Sequence, residues 1–176
     1  TQKENVPLVK NLNIINPEKF MQIDDFSFNS LEIFKKTDGE KSGSLISVID
    51  KTNTPLGGRL LKEYIKFPLI EIEEIKKRHD LVKIFIDEIN LLTSLRNFLK
   101  QTPDVERAIS RITANINNPR DLIIVLNFLK TSQNIFKILK DYHNKKFKTL
   151  YLEESIPKKL LKLENLIEKT IKPNTP

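Results

Sequence analysis

Cysteine and tryptophan are absent from this chain, methionine occurs once and histidine twice. Each scarcity removes a class of chemistry. Without cysteine there is no disulfide framework, no thiolate nucleophile and no sulfur ligand for a metal, and the usage agrees with a reducing, cytoplasmic setting. His79 and His143 do not stand at the spacing of a helical ligand pair, and His79 and its neighbour Asp80 point to different faces of a helix; both histidines read as half-exposed side chains. With three tyrosines and no tryptophan, base stacking has little to work with, and the basic cluster described below does not interleave with them. No apolar run approaches the roughly 18 residues that suggest a membrane span, and the polar segment at Thr1 lacks signal-peptide organisation. No membrane partner is expected. The start without methionine and the loop-like Lys172-Pro173-Asn174-Thr175-Pro176 read as the ends of an excised piece.

Only four glycines are present, and none sits in a phosphate cradle. A P-loop needs Gly-x-x-x-x-Gly-Lys-Ser/Thr, so that backbone N–H groups can approach phosphate. Gly39-Glu40-Lys41-Ser42 is the nearest imitation, and Glu40 there would repel phosphate. It reads as a solvated turn. Glu71, Glu73, Glu74 and Asp80 form no acid pair with an evident partner; they suit the start of a helix, where the dipole favours negative charge. No catalytic, cofactor-binding or metal-binding residue is assigned.

At 176 residues the chain suits one domain with a real core. Its net charge is +7, with 16 Lys or Arg against 15 acids in residues 1–100 and 14 against 8 in residues 101–176. Lys145, Lys146, Lys148, Lys158, Lys159 and Lys162 are the densest cluster. Such a face attracts phosphate in a salt-dependent way, although lysine is also the usual occupant of solvated helix faces, and that reading is the stronger.

The patterning is helical almost throughout, so the fold class is all-α: a multi-helix array with long lever-type helices after a short irregular or extended N-terminal segment. Phe26 to Lys36 is a short helix candidate, Thr37 to Ser44 carries turn signals, and residues 45–50 suit a helix or a strand. From Ile70 to Lys100 there is no Gly or Pro, and Ile72, Ile75, Val82, Ile86, Ile89 and Leu92 repeat at near-heptad spacing. Apolar on more than one side, this stretch is expected to be one helix or two with a break, sandwiched and central. Val105, Ala108, Ile109, Ile112 and Ile116 form the inward stripe of the next helix. Asn118 and Pro119 open one that runs to about Asp141, and Tyr151 and Leu152 suit a brief extended piece. Pro157 opens a last helix with Leu160, Leu163, Ile167 and Ile171 inward.

The richest stretch is Lys51 to Leu69. Thr54 suits an N-cap and Pro55 the first helical position, with Leu56, Leu60, Leu61, Tyr64 and Ile65 on one face and Pro68 as the stop. Gly57 and Gly58 fall inside that helix, where each costs about 1 kcal/mol relative to alanine, so something else wants them there. Upstream stand Ile23-Asp24, Asn29-Ser30-Leu31-Glu32-Ile33 and Ser44 to Asp50; downstream stand Asp104-Val105-Glu106-Arg107 and Asn118-Pro119-Arg120-Asp121-Leu122. In this order and spacing the motifs resemble the MutS family of DNA mismatch-repair ATPases, in its core or lever domain, domain III. The departures are mild: Ser30 interrupts Asn-Leu-Glu, Leu56 replaces the usual Met, and Tyr64-Ile65 stands for Trp-Leu.

The resemblance implies that residues 1–19 are a linker or the end of a preceding connector domain, and that residues 20–176 are a helical core/lever domain truncated before the clamp. It implies motif positions at Asp24, Glu32, Asp50, Thr54, Pro55, Gly57, Arg59, Pro68, Asp104, Glu106, Arg107, Pro119, Arg120 and Asp121. For the intact protein it implies ATP and magnesium at a site outside this chain. The implied partners are mismatched double-stranded DNA, a second MutS-like subunit and a MutL-type repair protein, in a cytoplasmic, nucleoid-associated setting. The family's Phe-x-Glu mismatch reader is absent from this chain. Two alternatives stand beside this reading: a relative acting in recombination, or a stand-alone helical scaffold binding nucleic acid or protein through its basic C-terminal part. For the motif charges, hydrogen-bonded pairs and caps that fix how helices meet compete with pairs that rearrange as helices tilt; for each residue alone the first is stronger. Gly57 is expected to let another backbone pack against the first helical turn.

Overall fold

The computed structural model describes residues 16–116, 118–146 and 157–171, without the side chains of residues 143–146. The opening segment, the Tyr151–Leu152 piece, the C-terminal loop, and the part of the lysine cluster at Lys145, Lys146 and Lys148 lie outside the described residues. So does the His143 side chain.

Eight α-helices are described: α1 Asp25–Ser30, α2 Leu45–Ile49, α3 Pro55–Lys66, α4 Ile72–Asp87, α5 Ile89–Lys100, α6 Val105–Thr113, α7 Pro119–Lys146 and α8 Lys158–Thr170. Among the described residues there is no strand, only an antiparallel bridge between Phe20 and Leu69. There the Met21 N–H donates to the Pro68 carbonyl (2.8 Å), and the Phe20 ring meets Phe67 edge-on with centroids 5.8 Å apart. The N-terminal segment is thereby pinned to the exit of α3.

The all-α expectation holds, with local differences. Helix α1 ends at Ser30 and does not reach Lys36, because Glu32 turns the chain through φ 49° and its carboxylate accepts the Thr37 N–H (2.8 Å) and hydroxyl (3.0 Å). Phe26 is exposed. Residues 45–49 are helical; the Leu45 and Ile46 N–H groups donate back to the Glu32 and Ile33 carbonyls, which draws Ile46 into full burial.

The Ile70–Lys100 stretch is two helices meeting at Glu88, and its first half is peripheral rather than central. Ile72, Val82, Ile86 and Ile89 are exposed and α4 has no buried residue, because the apolar cluster beneath it takes only its Ile84 and Phe85 side. Similarly, Ile109 and Ile116 of the expected α6 stripe are exposed, as are Leu160 and Leu163 of α8.

Two apolar clusters remain, both resting on α7. Val105 and Ala108 of α6, Val125 and Leu129 of α7 and Ile167 of α8 form the larger, with Leu56, Leu122 and Ile171 against it. Leu91 and Leu95 of α5 form the other, packed against Ile135, Ile138 and Leu139 further along α7. Residues Pro119–Tyr142 of α7 are long and apolar enough to cross a bilayer by length and composition. In this fold that apolar surface faces three neighbouring helices instead, and Lys130 bridges to Glu168 of α8 (2.5 Å) beside a Gln133–Glu164 hydrogen bond.

Candidate functional site

The motif residues gather at helix beginnings. Asp24 caps α1, accepting the Ser27 N–H (2.9 Å) and hydroxyl (2.7 Å), and the N–H bond is the main reason its carboxyl lies below the ordinary range. Glu32 is held down in the same way by Thr37. Asp50 accepts the Thr52 hydroxyl (2.7 Å) and N–H (3.1 Å), and the hydroxyl leads in lowering its pKa. This carboxylate braces the loop that enters α3.

Thr54 caps α3 by accepting the Gly57 N–H (2.9 Å), with Pro55 at the first helical position. A Cβ on Gly57 would lie 3.0 Å from the Thr54 hydroxyl oxygen and 3.4 Å from the Thr52 Cβ. The glycine therefore makes room for side chains of its own entrance loop, not for another backbone as the sequence suggested. Gly58 is looser, with Thr52 Oγ1 at 3.4 Å. Pro68 contributes its carbonyl to the bridge with Met21.

From the second turn of α3, Arg59 reaches the start of α6. Its Nη1 and Nη2 donate to Asp104 Oδ2 (3.1 Å) and Oδ1 (2.6 Å), while Nε pairs with Glu106 Oε2 at 2.6 Å. Asp104 is itself the N-cap of α6, accepting the Arg107 N–H at 3.4 Å. Arg59 holds the Asp104 carboxyl below its usual value, and Asp104 in turn holds the guanidinium pKa up. Side-chain exposures of 46% for Arg59 and 26% for Asp104 leave this clasp open to water. The Arg107 side chain is exposed and contributes charge to Asp104.

A second clasp joins α6 to α7. Arg111 donates through Nε to Asp121 Oδ1 (2.9 Å) and through Nη2 to the same oxygen, while Asp121 Oδ2 accepts the Asn118 N–H (3.2 Å). Asp121 thus ties the start of α7 like the acid of a capping box, and its side chain is only 2% exposed. Arg111 lowers the Asp121 pKa and is itself raised by the pair. Pro119 opens α7, and Arg120 is exposed, joining neither clasp among the described residues. Arg111 was absent from the sequence-derived set. Its partner lies ten positions on, beyond a turn, and the burial of Asp121 that calls for its charge is visible only in the structure.

Arg59, Asp104, Glu106 and Asp121 are all paired in these two clasps, and Asp104 and Asp121 also tie helix starts. The four residues Gly39 to Ser42 form a turn in which Gly39 takes φ 87° and Asp38 accepts the Glu40 N–H (2.9 Å), a geometry without a run of amides aimed at a common point. Among the described residues no group of His, Cys, Asp or Glu could hold a metal ion.

Arginines within α3 and α6 clasp acids at the starts of α6 and α7, around a long helix shared by two cores, and together define a helical module. The chain belongs to the MutS family: the family model for MutS domain III matches residues 27–176. It is 35% identical over its whole length to the DNA mismatch repair protein MutS of Rickettsia rickettsii (strain Sheila Smith), of which it covers 20%. The same figures hold for the MutS of Rickettsia bellii (strain OSU 85-389), and the MutS of Rickettsia typhi is 33% identical over 98% of the chain, which covers 18% of it. The chain spans about a fifth of the length of these relatives. It represents the core/lever part of a MutS-type mismatch-repair protein.

Proposed function

We propose that this module transmits force within a DNA-dependent ATPase whose nucleotide site and DNA clamp lie outside the chain. The observation that carries the reading is the succession of clasps from α3 to α6 to α7. Each acid sits at the start of the next helix, so the direction in which α7 leaves is set by its pairing with an arginine of the helix before it. With 28 residues, α7 extends about 42 Å at about 1.5 Å per residue, a suitable reach for a lever. Coupling over such distances needs packed elements with discrete arrangements.

In this reading residues 1–19 lead in from a preceding domain, and the helical domain is interrupted by a clamp after residue 176. ATP with magnesium, mismatched duplex DNA, a second subunit and a MutL-type protein act on the intact protein, in the cytoplasm. The relatives reported above are named for mismatch repair, which favours that role over recombination.

The test is a charge exchange in the intact polypeptide, Arg59→Asp with Asp104→Arg, scored for folding and for ATP-driven release of a mismatched duplex. Either single change is expected to weaken coupling of ATP to DNA release, and the exchange to restore it in part. Restored folding with coupling unchanged in all three proteins would reject a transmitting role for the clasp. A companion measurement titrates duplex binding by the 176-residue chain against salt. Weak binding is expected; tight binding with a steep salt slope would favour an autonomous nucleic-acid module.

A further inference from the structure

An open groove of about 410 Å³ lies between the loop entering α3 and the faces of α4 and α5. That volume falls within the roughly 300–1,000 Å³ range of ligand pockets. Its apolar lining comes from Ile49, Leu61, Phe85, Leu92 and Leu99, and Ile49 is 42% exposed. Thr52, Asn53, Thr54 and Gly57 supply one wall, held in place by the Asp50–Thr52 and Thr54–Gly57 hydrogen bonds. Lys51 and Arg96 are both exposed at the groove, and its described lining contains no carboxylate. The groove thus combines a firm wall braced by the Asp50 carboxylate on Thr52, apolar walls of α-helical side chains, and two exposed cations.

We propose that this groove docks an extended segment of a partner protein, in which large apolar residues are flanked by carboxylates. The apolar side chains fill the space over Leu92 and Leu99, and the flanking acids meet Lys51 and Arg96. Charge complementarity excludes several other occupants. A basic segment would be repelled from both sides, and a second copy pairing groove to groove would bring the same two cations against themselves. Rim charges of this kind select partners and speed encounter more than they add affinity, so binding by a short segment is expected to be weak and salt-dependent. The site is separate from both clasps, so the proposal stands or falls independently of the lever reading.

The test uses the 176-residue chain with labelled methyl groups and two blocked hexapeptides, each with a central Leu-Phe, one flanked by paired glutamates and the other by paired lysines. Saturable shifts of the Leu92, Leu99 and Ile49 methyls are expected with the glutamate peptide only. Arg96→Glu and Lys51→Glu are each expected to weaken that peptide about fivefold and to improve the lysine peptide, while the methyls of Val105 and Val125 report an unchanged fold. Equal binding of both peptides, absence of saturable shifts, or indifference to both variants would overturn the proposal. Groove shifts that appear on concentrating the chain without peptide would overturn it in favour of self-association. Loss of binding in a polypeptide of the relatives' full length would overturn it in favour of a segment of the same polypeptide filling the groove.

Discussion

Leu91→Ala separates the two cores that share α7. Leu91 is 1% exposed and packs with Leu95 in a cluster whose other members, Ile84, Phe85, Ile135, Ile138, Leu139 and Tyr142, are only partly buried. The substitution removes three carbons, a transfer loss of about 2.4 kcal/mol at about 0.8 kcal/mol per buried methylene. A cavity adds to this when the walls cannot close. Here they can: α4 is free on its outer side, so Ile84 and Phe85 can settle inward. The expected cost is therefore about 2–3 kcal/mol, the low end of the range for buried leucine. Urea unfolding followed by helical circular dichroism gives the total, and amide hydrogen exchange gives its distribution. Protection should fall in α4, α5 and the middle of α7, while amides of α6 and the first turns of α7 keep theirs until global unfolding. A cost under about 1 kcal/mol, or an equal loss of protection around Val105 and Ala108, would refute the division into two cores.

Acid should act on the second clasp. Arg111 keeps the folded Asp121 carboxyl below its ordinary pKa, so the clasp stabilises fully above the ordinary carboxylate range, about pH 4, and this contribution is lost as pH falls through the lower folded value. Accordingly the stability difference between wild type and Asp121→Asn, large at pH 7, should shrink as urea unfolding is repeated toward pH 2; a constant difference would contradict the pairing. Thr54→Ala should cost about 1 kcal/mol through the lost cap on Gly57, read from the urea midpoint. Gly57→Leu should destabilise wild type but much less the Thr54→Ala, Thr52→Ala background, because those two side chains occupy the space; full stability in wild type would refute the packing account. Raising salt to 1 M should weaken the coupling energy between Arg59 and Asp104 more than that between Arg111 and Asp121, since only in the second pair is the carboxylate buried. Double-mutant cycles at low and high salt measure both.

Much of this was legible in the sequence because it rests on local rules. The cap at Thr54 follows from short-range hydrogen bonding, and Pro55 and Pro119 mark first turns as proline geometry requires. Burial was harder to read. The repeat in α4 identifies a helix with apolar character on several sides, but periodicity does not say which side a neighbour will cover; Ile84 and Phe85 are covered, and Val82 and Ile86 are not. The pairing of Arg59 with Asp104 spans 45 positions, so no local pattern announces it, and Arg111 was missed because its partner lies beyond a turn. The end of α1 escaped for another reason: the capture of Thr37 by Glu32 competes with helix propagation, and side-chain competition of that kind depends on a turn five residues away.

The two clasps are chemically alike but differ in how readily they can yield. Asp121 is buried, so separating it from Arg111 leaves a buried carboxylate with only the Asn118 N–H to hold it, a costly state. Asp104 and Arg59 can exchange each other for water at small cost, because both are already partly hydrated. The backbone offers no easier joint at Glu88, where the Glu88 N–H still bonds the Ile84 carbonyl (2.9 Å) and the Leu92 N–H bonds the Glu88 carbonyl (3.0 Å) across the bend. In the proposed lever, a force applied along α7 would move α6 with it through the buried clasp, and the relative movement would be taken up between α6 and α3 at the more hydrated Arg59 pair, next to the braced loop of Asp50 to Thr54.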